Sequence, residues 1–274
     1  VNLVGYIRAE MGLGEAVRGE AAALTAAGVP FVIIDHQAGS PARMQDASWV
    51  HRIADEPVFD TNILHINADL LPQALEQLPD GLTRGRRNIG VWTWELPEFP
   101  REWRGSFGLV DEVWVPSTFV RDAIGEDAPV PVHVVPHAVR RPRPPFLGRE
   151  HFGLPPDAFQ FLAMYDTQSV MERKNPQGTI EAFTRAFEPG DERVSLVLKV
   201  NSAGDREVTA LRELAQTHPN IHLVTDTLSR HAVDSLMHSS DAFVSLFIER
   251  LFRPWMLASG LDCAGCGNCN VLSQ

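Results

Sequence analysis

Cysteine is absent from the body of this chain. The three that occur, Cys263, Cys266 and Cys269, fall within the last twelve of 274 residues. That distribution excludes a secreted disulfide scaffold. Lysine is nearly absent too: Lys174 and Lys199 are the only two among 24 cationic residues, and arginine supplies the rest. No apolar run reaches the roughly 18 residues of a membrane helix. Residues Val1 to Arg8 lack the basic start and cleavage pattern of a signal peptide. An excess of positive charge is also missing. The formal net charge of -11 excludes a nucleic-acid binder driven by bulk electrostatics, but not a local cationic pocket for a phosphate. These absences lead us to expect a cytoplasmic protein with no nucleic-acid partner. Peripheral attachment to a membrane is not readable from such a sequence.

What is present is a hydrophobic content of 44%, enough for one large core or two ordinary ones. Short apolar runs alternate with helical stretches. Strands are expected at Asn2–Ile7, Pro30–Asp35, Asn62–Asn67, Asn88–Trp92, Glu112–Val115 and Val132–Val135, with helices at Glu15–Ala27, Leu70–Leu78, Arg101–Leu109 and Thr118–Ile124. Prolines and arginines then crowd residues 136–156, as a stiff connection would. The rhythm restarts with strands at Phe159–Met164, Ser195–Val200, Ile221–Val224 and Ala242–Leu246, and helices at Pro176–Phe187, Asp205–Thr217 and Ser229–His238. The expectation is two tandem Rossmann-like α/β domains with parallel sheets, the second incomplete. Their boundaries are 1–140, a linker at 141–157, 158–246, and an aberrant tail at 247–274. Ligands of such sheets bind beyond the carboxyl ends of the strands.

Several groups fall at those ends. Gly12-Leu13-Gly14-Glu15 opens the first helix. It is either a loop that lets a phosphate approach free helix N–H groups or a plain tight turn. A dinucleotide site fits poorly, because Val17 stands where a third Gly or Ala belongs. Arg173 and Lys174, in the loop before Pro176, can hold a diphosphate or form a solvated turn. Lys199 ends the next strand and either joins them or reaches solvent. Two lysines in an arginine-rich chain suggest sites that need a compact ammonium. Trp92-Thr93-Trp94-Glu95 offers aromatic rings and a carboxylate to a carbohydrate, or packs its own loop. His65, Asn67, Ser117 and His137 lie at or near strand ends. The three cysteines lack a fourth thiolate or a following His, so no metal is expected.

Taken in order, Gly12–Glu15 with Arg18, Trp92–Leu96 with Phe99-Pro100, Asp111–Ser117, Val135-Pro136-His137, and Arg173–Pro176 leading to Ala182-Phe183 resemble the GT-B glycosyltransferases of family 4 (glycosyl transferase group 1). The resemblance covers roughly Val1 to Leu246. It implies a nucleotide-sugar donor held mainly by the second domain, a carbohydrate or glycolipid acceptor held by the first, and retention of anomeric configuration. No cofactor is implied, the nucleotide sugar being a substrate. Gly12, Gly14, Arg173, Lys174 and Lys199 become donor-phosphate candidates, and Trp94, Glu95, Asn67 and His137 acceptor-side candidates. The family's Arg, five residues before its phosphate lysine, is Ser169 here. Its Glu-Gly-Phe-Gly loop and the second Glu beyond have no counterpart after Leu246, so a truncation or reading-frame slip is expected there. A non-catalytic nucleotide or sugar-phosphate binding module and an NAD-dependent oxidoreductase are the competing readings.

Overall fold

The computed structural model describes residues 1–40, 42–125, 128–139, 144–166, 175–201, 205–246 and 270–273. The chain divides into two compact units, Val1–Arg140 and Arg141–Gln274.

The first unit runs β1 (Asn2–Gly5), α1 (Gly12–Ala26), β2 (Val32–Asp35), β3 (Thr61–His65), α2 (Leu71–Leu75), β4 (Arg87–Val91), β5 (Glu112–Val115), α3 (Thr118–Ile124) and β6 (Val132–Val134). All six strands are parallel, in the order β2-β1-β3-β4-β5-β6. Both faces are covered, which is why the strands read as continuous apolar runs. Leu3, Ile33, Ile63 and Ile89 face Val17, Ala21 and Leu24 of α1. Val4, Ile34, Leu64 and Val113 face the other way, with Leu71, Trp92 and Phe107. Gly28 ends α1 in the left-handed region at φ +69°. Gly28 N donates to Thr25 O and Val29 N to Leu24 O, the bond pair of a Schellman cap. The stretch Arg101–Leu109, expected to be helical, winds as a 3-10 helix over the same residues. Gly105 and Gly108 within it lower its α propensity.

The second unit runs β7 (Phe159–Asp166), α4 (Pro176–Ala186), β8 (Val194–Asn201), α5 (Asp205–Gln216), β9 (Ile221–Val224), α6 (Arg230–His238), β10 (Ala242–Ser245) and β11 (Asn270–Ser273). The sheet order is β11-β10-β7-β8-β9, with β11 antiparallel and the other four parallel. The β10 side of the sheet is therefore covered: β11 pairs along β10 from Ala242↔Ser273 to Ser245↔Asn270. The residues between, cysteines included, lie outside the described ones. From residue 144 onward the Pro/Arg-rich segment packs into this unit. Phe146 stacks on His238 at 3.9 Å, and Arg149 reaches Ser239 O, Ala158 O and the Asp241 carboxylate.

Two polar devices fix the strands. Asp111 Oδ2 accepts from Asn88 N at 2.7 Å, and in the second unit Asp241 Oδ2 accepts from Gln160 N at 2.8 Å. At the amino-terminal end of the first sheet an asparagine ladder crosses β1, β3 and β4. Asn2 Nδ2 donates to Asn62 Oδ1 at 2.7 Å, and Asn62 Nδ2 donates to Asn88 Oδ1 at 2.8 Å.

Candidate functional site

In the first unit the candidate residues gather where the strands end. Helix α1 begins at Gly12, and its N-cap residue Met11 makes no side-chain capping bond. The first-turn N–H groups are thus not capped by that side chain. Gly12 is exposed, and a Cβ there would meet nothing within 4 Å. Gly14 is buried, and a Cβ there would lie 2.1 Å from Ala9 O and 2.9 Å from Tyr6 O. Gly14 thus lets the loop between β1 and α1 fold back onto the helix. Residues 6–11 make up that loop, too long for the tight turn of a dinucleotide fingerprint.

The loop is held by Arg18, a residue whose role the glycine pattern alone did not reveal. Arg18 is 9% exposed. Its Nη1 donates to Ile7 O at 2.9 Å and to Ala9 O at 2.8 Å, and Glu15 and Asp46 balance its charge at 3.2 and 3.4 Å. One guanidinium serves two carbonyls through Nη1 while Nη2 and Nε face the carboxylates of Glu15 and Asp46, a spread of donors that suits Arg rather than Lys.

Asn67 joins two of the crossover loops. Its Oδ1 accepts from Thr93 N at 2.9 Å and from Thr93 Oγ1 at 3.1 Å. Trp94 is half-buried. It meets Trp103 edge-on at 4.8 Å, and its Nε1 donates to Glu98 O at 2.8 Å. Its ring therefore braces the loop that presents exposed Glu95 and Leu96. Ser117 caps α3, its Oγ accepting from Val120 N at 3.4 Å.

His65 and His137 belong to the same unit. His65 is buried at the end of β3, and its Nε2 has no hydrogen-bond partner among the described residues. Desolvation drives its pKa down from 6.5 to about 3, and the nearby His137 adds to the effect. Burial lowers the His137 pKa as well. Both imidazoles are neutral near neutral pH, so they offer dipoles rather than charge. The unfolded chain binds a proton at His65 that the folded chain refuses, so stability is full above the unfolded pKa of 6.5 and declines as pH falls below it. The expected loss is roughly 2 kcal/mol between pH 7 and pH 5. Chemical denaturation at the two pH values measures it, and His65→Asn should flatten the difference. An unchanged slope in that variant would contradict the assignment.

In the second unit, Arg173 and Lys174 lie outside the described residues. The elements on either side are clear. β7 ends at Asp166, and α4 starts at Pro176 behind Asn175. Asn175 adopts φ 44°, and its Oδ1 accepts from Gly178 N at 3.0 Å. The only other lysine, Lys199, does not reach solvent. It is fully buried on β8, and its Nζ donates to Asn201 Oδ1 at 2.6 Å and to Val200 O at 3.1 Å. Burial lowers its pKa, while Asp166 and Asp226 oppose that shift. Asp166 ends β7 and Asp226 follows β9, so the buried Lys199 side chain near the end of β8 lies close to two carboxylates at the carboxyl ends of its neighbours. Among the described residues no group of three or more His, Cys, Asp or Glu is placed to hold a metal, and no helix is long and apolar enough to cross a membrane.

No family profile and no curated protein matches this chain. Solved structures do. WaaG, a glycosyltransferase involved in lipopolysaccharide biosynthesis, is similar at 14% identity and TM-score 0.53, over 94% of this chain and 78% of WaaG. OtsA is similar at 10% identity and TM-score 0.53, over 88% of this chain and 76% of OtsA. The lipopolysaccharide outer core galactosyltransferase WaaB is similar at 12% identity and TM-score 0.51, over 93% of this chain and 76% of WaaB. With two Rossmann-like units in tandem and these structural likenesses, the chain has the GT-B fold found among glycosyltransferases.

Proposed function

We propose that this chain is built for glycosyl transfer from a nucleotide-sugar donor to a carbohydrate or glycolipid acceptor, with retention of configuration. The observation that carries the reading is the likeness to WaaG over nearly the whole chain. The family-like Arg173-Lys174-Asn175-Pro176 string stands where β7 gives way to α4. When the nucleoside diphosphate departs, negative charge builds on its phosphates. Lys174 and Arg173 are assigned to meet that charge. Lys199 acts on the donor side by its field. Glu95, exposed on a loop braced by Trp94, with Asn67 and His137, makes up the acceptor side.

A second reading, a binding module without turnover, is favoured by one observation. Phe247 to Gln274 lacks the paired-Glu pattern that the family uses on donor sugar and ribose. Turnover is accordingly expected to be weak.

Calorimetric titration with UDP, GDP and ADP tests the donor site. Lys174→Ala should weaken the best of these by about 1.5–3 kcal/mol, the range for a charge-assisted hydrogen bond. Equal affinity for the variant and the parent chain, or no binding of any diphosphate, would sink the reading.

A further inference from the structure

We infer that Arg8 is an anion-binding residue of the first unit, and that the acceptor carries a phosphate or a carboxylate for it, an assignment that rests on the glycosyl-transfer reading. Arg8 follows β1 by three residues, in the loop that leads into α1. That is the carboxyl end of the sheet, where ligands of such folds bind.

The Arg8 side chain is half-buried, yet it makes no hydrogen bond or ion pair among the described residues. Its Nε is buried without a partner, while the two Nη groups keep contact with solvent. The other buried or half-buried arginines among the described residues are all engaged. Arg18 holds Ile7 O and Ala9 O, Arg86 holds Phe59 O, Arg104 holds Ile124 O and Arg149 holds Ala158 O. A guanidinium withdrawn from water and left unmatched is costly. An external acceptor at the Nη groups offsets that cost.

The neighbouring carboxylates do not supply the match. Glu10 pairs with Arg43 at 3.5 Å, and Glu15 and Asp46 pair with Arg18 at 3.2 and 3.4 Å. Asp35, at the end of β2, accepts from Gln37 Nε2 at 2.6 Å. Burial raises the Asp35 pKa, with Gln37, Arg8 and His36 opposing the rise. Arg8 is therefore within electrostatic reach of β2 without closing an ion pair there. Its backbone is fixed. The carbonyls of Ile7 and Ala9 on either side are held by Arg18, and Arg8 O accepts from Asp46 N at 3.1 Å. Such a cation is in place before a ligand arrives.

The chemistry selects the ligand class. A guanidinium only donates, so its partner must accept. Its charge favours an anion over a neutral hydroxyl, and its fork of N–H groups matches the paired oxygens of a phosphate or carboxylate. The amino end of α1, four residues further on and not capped by the Met11 side chain, adds a partial positive charge. At a net charge of -11 the chain as a whole repels anions. A local cation is what allows an acidic sugar to settle.

The test is NMR titration of the whole chain at low salt with glucose 6-phosphate, glucuronate, methyl glucoside and inorganic phosphate. The Arg8 Nε–H signal is followed, identified by its loss in Arg8→Gln. At least one of the two sugar acids should shift it saturably with a Kd of about 0.5–5 mM, about fivefold or more tighter than methyl glucoside or inorganic phosphate. Read on the backbone amides of residues 6–11, Arg8→Gln should weaken that acid about tenfold or more, Arg8→Lys about threefold, and the exposed control Arg84→Gln less than about twofold. Without ligand, Arg8→Gln should melt no lower than the parent chain, because it removes an unmatched cation rather than a bond. Its UDP affinity should stay within about twofold of the parent's. No saturable shift by either acid up to about 50 mM would overturn the assignment. So would equal affinity for methyl glucoside or inorganic phosphate, a parallel loss of UDP affinity, or a clearly lowered melting temperature, the mark of a structural arginine. Failure of UDP alone to bind sinks the transfer reading. Failure of the acids with UDP binding intact sinks only the acidic acceptor.

Discussion

Gly14→Ala should destabilise the first unit by about 3 kcal/mol, while Gly12→Ala should change stability by less than about 0.5 kcal/mol. The two glycines are two residues apart on the same helix, and the contrast follows from what each faces. An ideal Cβ on Gly14 lies 2.1 Å from Ala9 O and 2.9 Å from Tyr6 O. Those are backbone atoms, not the far end of a flexible side chain, so the loop itself must retreat. Its retreat loosens the bonds from Arg18 Nη1 to Ile7 O and Ala9 O. Insertion of a methyl into packed structure costs about 1–3 kcal/mol, and weakening charge-assisted bonds adds to it. Gly12 has open space around it. A fall in melting temperature on the order of 10 °C is expected for Gly14→Ala and almost none for Gly12→Ala. Equal melting temperatures for the two variants would show that the loop is not pinned as described.

The second large effect concerns the asparagine ladder. Asn62→Ala should cost about 3–4 kcal/mol in urea unfolding, far more than the surface change Gln73→Ala. Asn62 is fully buried, and its Nδ2 serves both Leu82 O at 2.9 Å and Asn88 Oδ1 at 2.8 Å. Its Oδ1 receives Asn2 Nδ2 at 2.7 Å. Truncation leaves buried acceptors that water cannot reach. Each such group costs about 1–3 kcal/mol, and serial bonds polarise one another. Should Asn62→Ala prove as stable as Gln73→Ala, the ladder would be ornamental.

Most of the fold was legible in the sequence, because it rests on local signals. Strands buried on both faces read as apolar runs, and β5, α3 and β9 end at the residues expected from those runs. Gly28 announced its own cap. The errors arose where a distant partner decides. The helix expected at Arg101–Leu109 is present, and only its 3-10 winding is undeclared by apolar spacing. The pairing of β11 with β10 joins segments far apart in sequence, and no period in either one declares it.

The site was legible in outline only. Sequence position placed Asn67 and Trp94 near strand ends. Their bonds to Thr93 and Glu98 depend on how loops fold over one another. Lys199 stood out by its rarity, yet its full burial follows from neighbours on β7 and β9.

The aspartates before β5 and β10 bear on which structures the chain avoids. A parallel strand shifted by one residue turns its apolar side chains from one face to the other, yet in a sheet buried on both faces both faces are greasy. Hydrophobicity alone discriminates such a shift weakly. Asp111 and Asp241 supply the missing discrimination, since each carboxylate is matched to one backbone N–H, on Asn88 and on Gln160. In a slipped pairing the same carboxylate would face a carbonyl oxygen. The correct arrangement gains a charge-assisted bond, whereas the wrong one loses it and sets a carboxylate against a carbonyl oxygen. In the second unit the same carboxylate also grips Arg149. An error in the pairing of β10 there would release the Pro/Arg-rich segment as well, so misassembly at one strand is felt across the unit.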